Sequence, residues 1–208
     1  KGYNMLKLDH LAVAGIALQD AELHSVAALG VPAAGHGVHP HFGTHNALWG
    51  MGAEFYLEAI AVDPDAPKPA YPRWFGLDDF TGPARLGTWI LATDDMAATL
   101  DHLGPEFGQP VALQRGAYSW EIAVPTTGAN GFDGFAPSII QWHGDQHPAP
   151  NLGDSGLRFQ SLNVQHPRIA ELSDLLAPLL RDDRITFSQG AAGMSAQFTG
   201  PGGVVALT

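Results

Sequence analysis

The chain has 208 residues, 45% of them hydrophobic, which is enough for a packed core and too much for disorder. Ten basic against 21 acidic residues give a formal charge of −11, a surface that repels phosphate backbones and anionic lipid, so neither nucleic acid nor a membrane is expected as a partner. No cysteine is present, which removes disulfides, thiolate metal sites and cysteine nucleophiles.

Apolar stretches are short and fall well below the roughly 20 residues of a spanning helix. Met5 reads as a native start with residues 1–4 uninformative, no signal peptide is recognised, and the cytoplasm is the default location. With 25 Gly, 16 Pro and only 15% charged residues, the composition predicts short strands joined by tight turns.

In chain order, an apolar run at 6–14 predicts a strand and 19–29 an amphipathic helix, followed by strands at 34–38, 44–50 and 54–62. A Pro-rich linker covers 64–84. The pattern then recurs: strand 85–93, helix 95–103, strands 110–114, 118–125 and 138–142. It recurs again with strand 157–165, helix 168–180 and strands 185–188, 194–199 and 204–208. The fold class is therefore α+β, built from repeated βαβββ modules at 5–63, 85–145 and 156–208 within one compact unit. Two full modules are expected to form a curled sheet around a cleft, with the third extending or capping it.

Registering the modules on their first strands aligns His10, Thr88 and Ser161, and on their last strands Glu58, Gln141 and Ala206. The separations, 48, 53 and 45 residues, are consistent enough to favour a true repeat. Ser161 and Ala206 bring no chemistry, so the third module is expected to hold no site.

Four features together carry a family resemblance: the strand with Asp9-His10-Leu11, the run Gly43-Thr44-His45-Asn46-Ala47-Leu48, Tyr56-Leu57-Glu58, and Arg73-Trp74-Phe75-Gly76-Leu77-Asp78. The chain resembles the glyoxalase-like domain family of the vicinal oxygen chelate superfamily. The resemblance implies a cleft whose floor takes ligands from the first and last strands of two modules, here His10, Glu58, Thr88 and Gln141. An imidazole, a carboxylate and a carboxamide oxygen suit a borderline divalent ion such as Zn, Ni, Mn or Fe and leave a position open for substrate, whereas a Thr88 hydroxyl is a weak ligand.

Other residues extend the expected site. The stretch 35–46 carries His36, His39, His41 and His45, and its Gly and Pro content points to a strand edge and turn with solvated or substrate-facing histidines. His45 begins a strand that could bring it beside His10 and Glu58, forming a two-histidine, one-carboxylate face; Glu58, His45 or His143 is the candidate base. Asn46, Thr88, Trp74, Phe75, Arg115, Trp120 and Trp142 are expected to wall a partly apolar pocket. Arg73, Arg85 and Arg115 are the nearby cations, without an anionic substrate being assigned.

No Gly-rich phosphate loop, GxGxxG, HExxH or GxSxG occurs, so nucleotide binding, zincin proteolysis and the hydrolase elbow lack their signatures. Two readings stand. The first is a metal-dependent lyase, isomerase or dioxygenase acting on vicinal oxygens of a small substrate. The second is a metal-free protein that binds or sequesters a small molecule in the same cleft. The resemblance also implies a homodimer, since modules of this kind often pair between chains.

Overall fold

The computed structural model describes residues 5–208; the reading of residues 1–4 lies outside them. The first module consists of β1 (Lys7–Ala14), α1 (Leu18–Leu29), β2 (Gly35–His39), β3 (Thr44–Gly50) and β4 (Tyr56–Val62). The second consists of β5 (Arg85–Ala92), α2 (Met96–Leu103), β6 (Gln109–Arg115), β7 (Tyr118–Val124) and β8 (Ser138–His143). The third runs β9 (Arg158–Gln165), α3 (Ile169–Leu176), β10 (Ile185–Ser188), β11 (Gly193–Gly200) and β12 (Gly203–Leu207). No helix among the described residues is long and apolar enough to cross a membrane.

Local chemistry sets the element ends. α1 stops at Gly30, whose φ of 74° is left-handed and whose N–H returns to the Val26 carbonyl. The Asp95 side chain caps α2 by accepting from the Ala98 N–H at 3.0 Å. α3 is shorter than its apolar pattern over 168–180 predicts, because Pro178 has no N–H to continue the ladder, although Ala177 before it keeps helical dihedrals.

The first two modules share one eight-stranded sheet, ordered β2-β3-β4-β1-β5-β8-β7-β6. In each, the last strand lies parallel to the first: β4 beside β1 and β8 beside β5. The modules join where β1 and β5 run antiparallel, with Leu11 opposite Trp89. A pseudo-twofold through that pair exchanges His10 with Thr88. β2 and β6 are the two ends of the sheet, yet Arg115 on β6 reaches His39 on β2, Nη1 to Nε2 at 3.2 Å. The sheet therefore curls until its ends meet, and one chain builds both halves of the enclosed cleft.

Strand alternation divides the core. Leu11, Val13, Trp49, Leu57, Trp89 and Leu91 face outward, into one apolar cluster with residues of α2, α3 and the third module. Ala12, Ile60, Ile90, Ile122 and Ile140 face inward, with Phe42 and Trp74 packed over them.

The third module keeps the element order but not the pairing. Its sheet runs β10-β9-β11-β12, so α3 crosses over between adjacent parallel strands and β11, not the last strand, flanks β9. Ala206 sits on edge strand β12, separated from Ser161 by Gln197. Aligning it with Glu58 was a misregistration, since equal element order does not fix strand order.

Trp89 is fully buried at the module junction and donates its indole N–H to the Phe135 carbonyl at 2.8 Å. Trp89→Ala is expected to lower stability in urea unfolding by about 3–5 kcal/mol.

Candidate active site

The site begins with an irregularity in β1. Leu8 pairs with Leu91 and His10 with Ile90, leaving Asp9 as the extra residue of a β-bulge. The bulge turns the Asp9 and His10 side chains toward the same cleft, where alternation would separate them. Both are buried. His10 Nδ1 donates to Asp9 Oδ1 at 2.5 Å, while Asp9 Oδ2 accepts from Trp142 Nε1 at 2.9 Å and pairs with His147 Nε2 at 3.1 Å. The His10 ring stacks on Tyr56, its neighbour across β4, with centroids 4.3 Å apart.

Glu58 faces the other edge of that imidazole. Its Oε1 accepts from Asn46 Nδ2 at 2.6 Å, and its Oε2 stands 3.6 Å from His10 Nε2. Burial alone would drive His10 toward neutrality, but Asp9 and Glu58 raise its pKa from 6.5 to about 9. Burial likewise favours protonated Glu58, yet hydrogen bonding and charge from His10, with the Asn46 amide, hold its pKa below the ordinary 4.5. Asp9 is also held well below the carboxylate range against its burial, by hydrogen bonds from His10 and His147. At neutral pH the floor thus reads carboxylate, imidazolium, carboxylate.

Around it runs a cleft of about 390 Å³, counting its mouth open to solvent. Trp74 and Phe75 stack at 4.9 Å on one side, and Trp120 and Trp142 lie 5.4 Å apart on the other. Phe75 is presented by a left-handed backbone, φ 59°, followed by Gly76 at 65°. The arm carrying both rings is pinned by buried Arg73, which bonds Asp78 at 2.6 Å and the Phe42 carbonyl at 2.9 Å. Toward the mouth, burial lowers His39 to a pKa of about 4, with Arg115 and His10 opposing its charge.

Most of the expected pocket residues converge here: His10, Glu58, Asn46, Trp74, Phe75, Arg115, Trp120 and Trp142. Four expected residues, His45, Gln141, Thr88 and His143, do not line it. His45 pairs with Ala61 and therefore points to the face of β3 opposite Asn46, so a His10, His45, Glu58 triad does not form. Gln141 alternates with Ile140 and Trp142, and its Oε1 accepts the Met96 N–H at 2.7 Å, capping α2 on the outer face. The register explains the error. Ala12 pairs with Glu58 and its counterpart Ile90 with Ser138, so Ser138 is the second-module equivalent of Glu58. Thr88 does face the cleft side. Its hydroxyl and that of Ser138 both accept from Asn130 Nδ2, at 3.1 and 3.0 Å. His143 is exposed at the end of β8, 3.9 Å from Glu121.

Asp9, Tyr56 and His147 were missed as site residues, and His39 was named only among the solvated or substrate-facing histidines. Tyr56 was readable by stepping two residues back from Glu58 along β4; the bulge that recruits Asp9 leaves no trace in composition.

The donor set tests the expected ion. His10 Nε2 and Glu58 Oε2 stand close to the separation of two ligands that each lie about 2.1 Å from one ion. Asp9 behind Nδ1 is the kind of outer support that metal-bound histidines carry. Gln141 faces away and Thr88 and Ser138 are held by Asn130, so none of these supplies a third donor. Among the described residues no group of three His, Cys, Asp or Glu is placed to hold a metal. Two donors fit; a three-ligand protein site does not.

The glyoxalase-like domain model matches residues 8–180. Among solved structures, a hypothetical protein from Staphylococcus aureus is similar at 16% identity and TM-score 0.64, covering 90% of this chain and 87% of its own. A Streptomyces coelicolor methylmalonyl-CoA epimerase variant in complex with 2-nitronate-propionyl-CoA matches at 13% identity and TM-score 0.45, covering 69% of this chain and 99% of its own. Methylmalonyl-CoA epimerase from Mycobacterium tuberculosis matches at 18% identity and TM-score 0.42, covering 67% and 88%. No curated protein matches the sequence.

Asp9→Asn is expected to cost about 3–5 kcal/mol in urea unfolding, because it strips a buried imidazolium of its partner. The same variant should lower the His10 pKa, read by NMR titration. In the wild type, the stability contributed by His10 is complete below 6.5 and lost as pH rises through about 9, whereas that from Glu58 is present above 4.5 and lost as pH falls. Urea midpoints measured across that range should therefore decline on both sides.

Proposed function

Because the chain belongs to the glyoxalase-like domain family, we propose that it is an isomerase or lyase that moves a proton at a carbon beside a carbonyl in a small, partly aromatic substrate. One observation carries this reading: a buried, ionised Glu58 oxygen stands 3.6 Å from a protonated His10 nitrogen, within an aromatic cleft. The pair is an acid and a base held side by side in their working protonation states.

In this reading the substrate carbonyl oxygen accepts the His10 Nε2–H while the adjacent C–H points to Glu58 Oε2. Glu58 takes the proton, the C–H electron pair shifts toward the carbonyl, and the enolate oxygen is stabilised by the His10 proton. Asp9 keeps the imidazole oriented and charged. When His10 turns its N–H to substrate, Glu58 keeps the Asn46 bond but loses the facing imidazolium charge and becomes a stronger base. Where the deprotonated carbon carries a hydroxyl that passes its proton to the enolate oxygen, returning the proton to the former carbonyl carbon gives isomerisation; departure of a β-substituent gives elimination. The aromatic walls exclude water from the enolate.

A second reading is favoured by the spacing of His10 Nε2 and Glu58 Oε2, which suits a divalent ion completed by substrate oxygens. Such an ion, Zn, Ni, Mn or Fe, would polarise those oxygens as a Lewis acid. A third reading, sequestration of a small molecule without turnover, is supported by the pairing of Thr88 and Ser138 with Asn130, which withdraws the second module from chemistry.

The test is solvent deuterium exchange, followed by NMR, on a panel of 2-oxo acids and hydroxyketones. The wild type should exchange the proton beside the carbonyl, and Glu58→Gln should slow that exchange by about 10²–10⁴-fold. The wild-type rate should fall as pH passes about 9, where His10 loses its proton. Binding without exchange at any pH would favour sequestration. Stoichiometric metal by elemental mass spectrometry, lost in His10→Ala, would favour the ion.

A further inference from the structure

The arginines are not equivalent. Arg73, Arg158 and Arg184 each bond an aspartate, at 2.6, 2.8 and 2.6 Å, and Arg168 lies 3.9 Å from Glu171. Arg85 is taken up by the Thr81 and Pro83 carbonyls. Arg115 lines the cleft, and among the described residues no carboxylate lies within salt-bridge range of it. Its one hydrogen bond, to His39 Nε2 at 3.2 Å, goes to a neutral ring and uses only part of the guanidinium's donor capacity.

The backbone makes room for it. A Cβ on Gly37 would lie 2.6 Å from Arg115 Nη1, so the guanidinium rests directly on the β2 main chain. Among the described residues, two buried polar atoms of cleft-lining side chains have no partner, Asn46 Oδ1 and Trp74 Nε1. Both residues line the cleft and are more than nine-tenths buried. From Arg115 a short chain of contacts runs through His39 and Asn46 to Glu58. A cation and an unused N–H donor thus line the same cleft as the acid and base, with His39 and Asn46 between Arg115 and Glu58. Tryptophans flank the space between.

Resting on the proton-transfer reading, we propose that the substrate is an aromatic or conjugated carboxylic acid whose carboxylate binds Arg115, placing its enolisable carbon at His10 and Glu58. The arrangement explains why the cation is left unpaired: a fixed fork with spare N–H groups receives a planar carboxylate with two parallel bonds. Trp74 Nε1 offers a further donor to the same oxygens, and the flat remainder of the molecule lies among the rings.

The probes are phenylpyruvate, which carries an aromatic ring, an enolisable carbon and a carboxylate, and its methyl ester, which lacks only the charge. Affinity is read from quenching of tryptophan fluorescence, with folding of each variant checked by circular dichroism. The acid should bind wild type at least about tenfold more tightly than the ester. R115M should abolish that preference, and R115K should restore part of it. Equal affinity for acid and ester, no saturable quenching by the acid, or a preference that survives in R115M overturns the assignment. The wild-type comparison needs no variant to fold. A preference for the acid without deuterium exchange would sink the proton-transfer reading alone, and exchange without that preference would sink the anion reading alone.

Discussion

A buried positive charge on His10 is the constraint around which the cleft is organised. An imidazolium removed from water is expensive, and it persists here because Asp9 and Glu58 flank its two nitrogens. Each of those carboxylates is in turn satisfied from a different part of the chain: Asp9 by Trp142 of the second module and by His147 just beyond it, Glu58 by Asn46 of the neighbouring strand. The charge therefore ties the halves together as well as equipping the floor. Were β1 regular, Asp9 would point into the outward apolar cluster and the imidazole would lose its principal partner.

The eight-stranded sheet then does for the walls what the bulge does for the floor. Curling brings β2 and β6 from opposite ends of the strand order into contact, so residues distant in sequence, His39 and Arg115, meet at the mouth. The linker between modules is held over the opening by Arg73, whose guanidinium binds both its own arm and the Phe42 carbonyl. Its left-handed Phe75 is a backbone outlier at the cleft, the kind of local strain that surrounding structure must hold in place.

Element order was legible in the sequence almost throughout, because alternation and punctuation by Gly and Pro are local signals. Strand β3 has the expected bounds, Thr44–Gly50, and β10 likewise, Ile185–Ser188. What local signals do not contain is pairing. The third module repeats the order of the first two yet pairs its strands differently, and nothing in its residues announces that. The site was legible to the same depth. His10, Glu58, Trp74 and Phe75 lie in the family motifs, whereas Gln141 and His45 failed on register and parity, which are properties of the assembled sheet. A three-residue slip in aligning β8 was enough to mistake a helix cap for a ligand.

Asn130 has a meaning beyond the hydroxyls it holds. A cleft made from two similar halves would, if both carried working groups, accept the same ligand in two opposed poses related by the pseudo-twofold. By occupying Thr88 and Ser138, Asn130 silences one half and leaves the acid, the base and the cation on one asymmetric path. On the proposed reading this gives one binding stoichiometry and one handedness: a ligand would enter in a single pose and show a single prochiral face to Glu58.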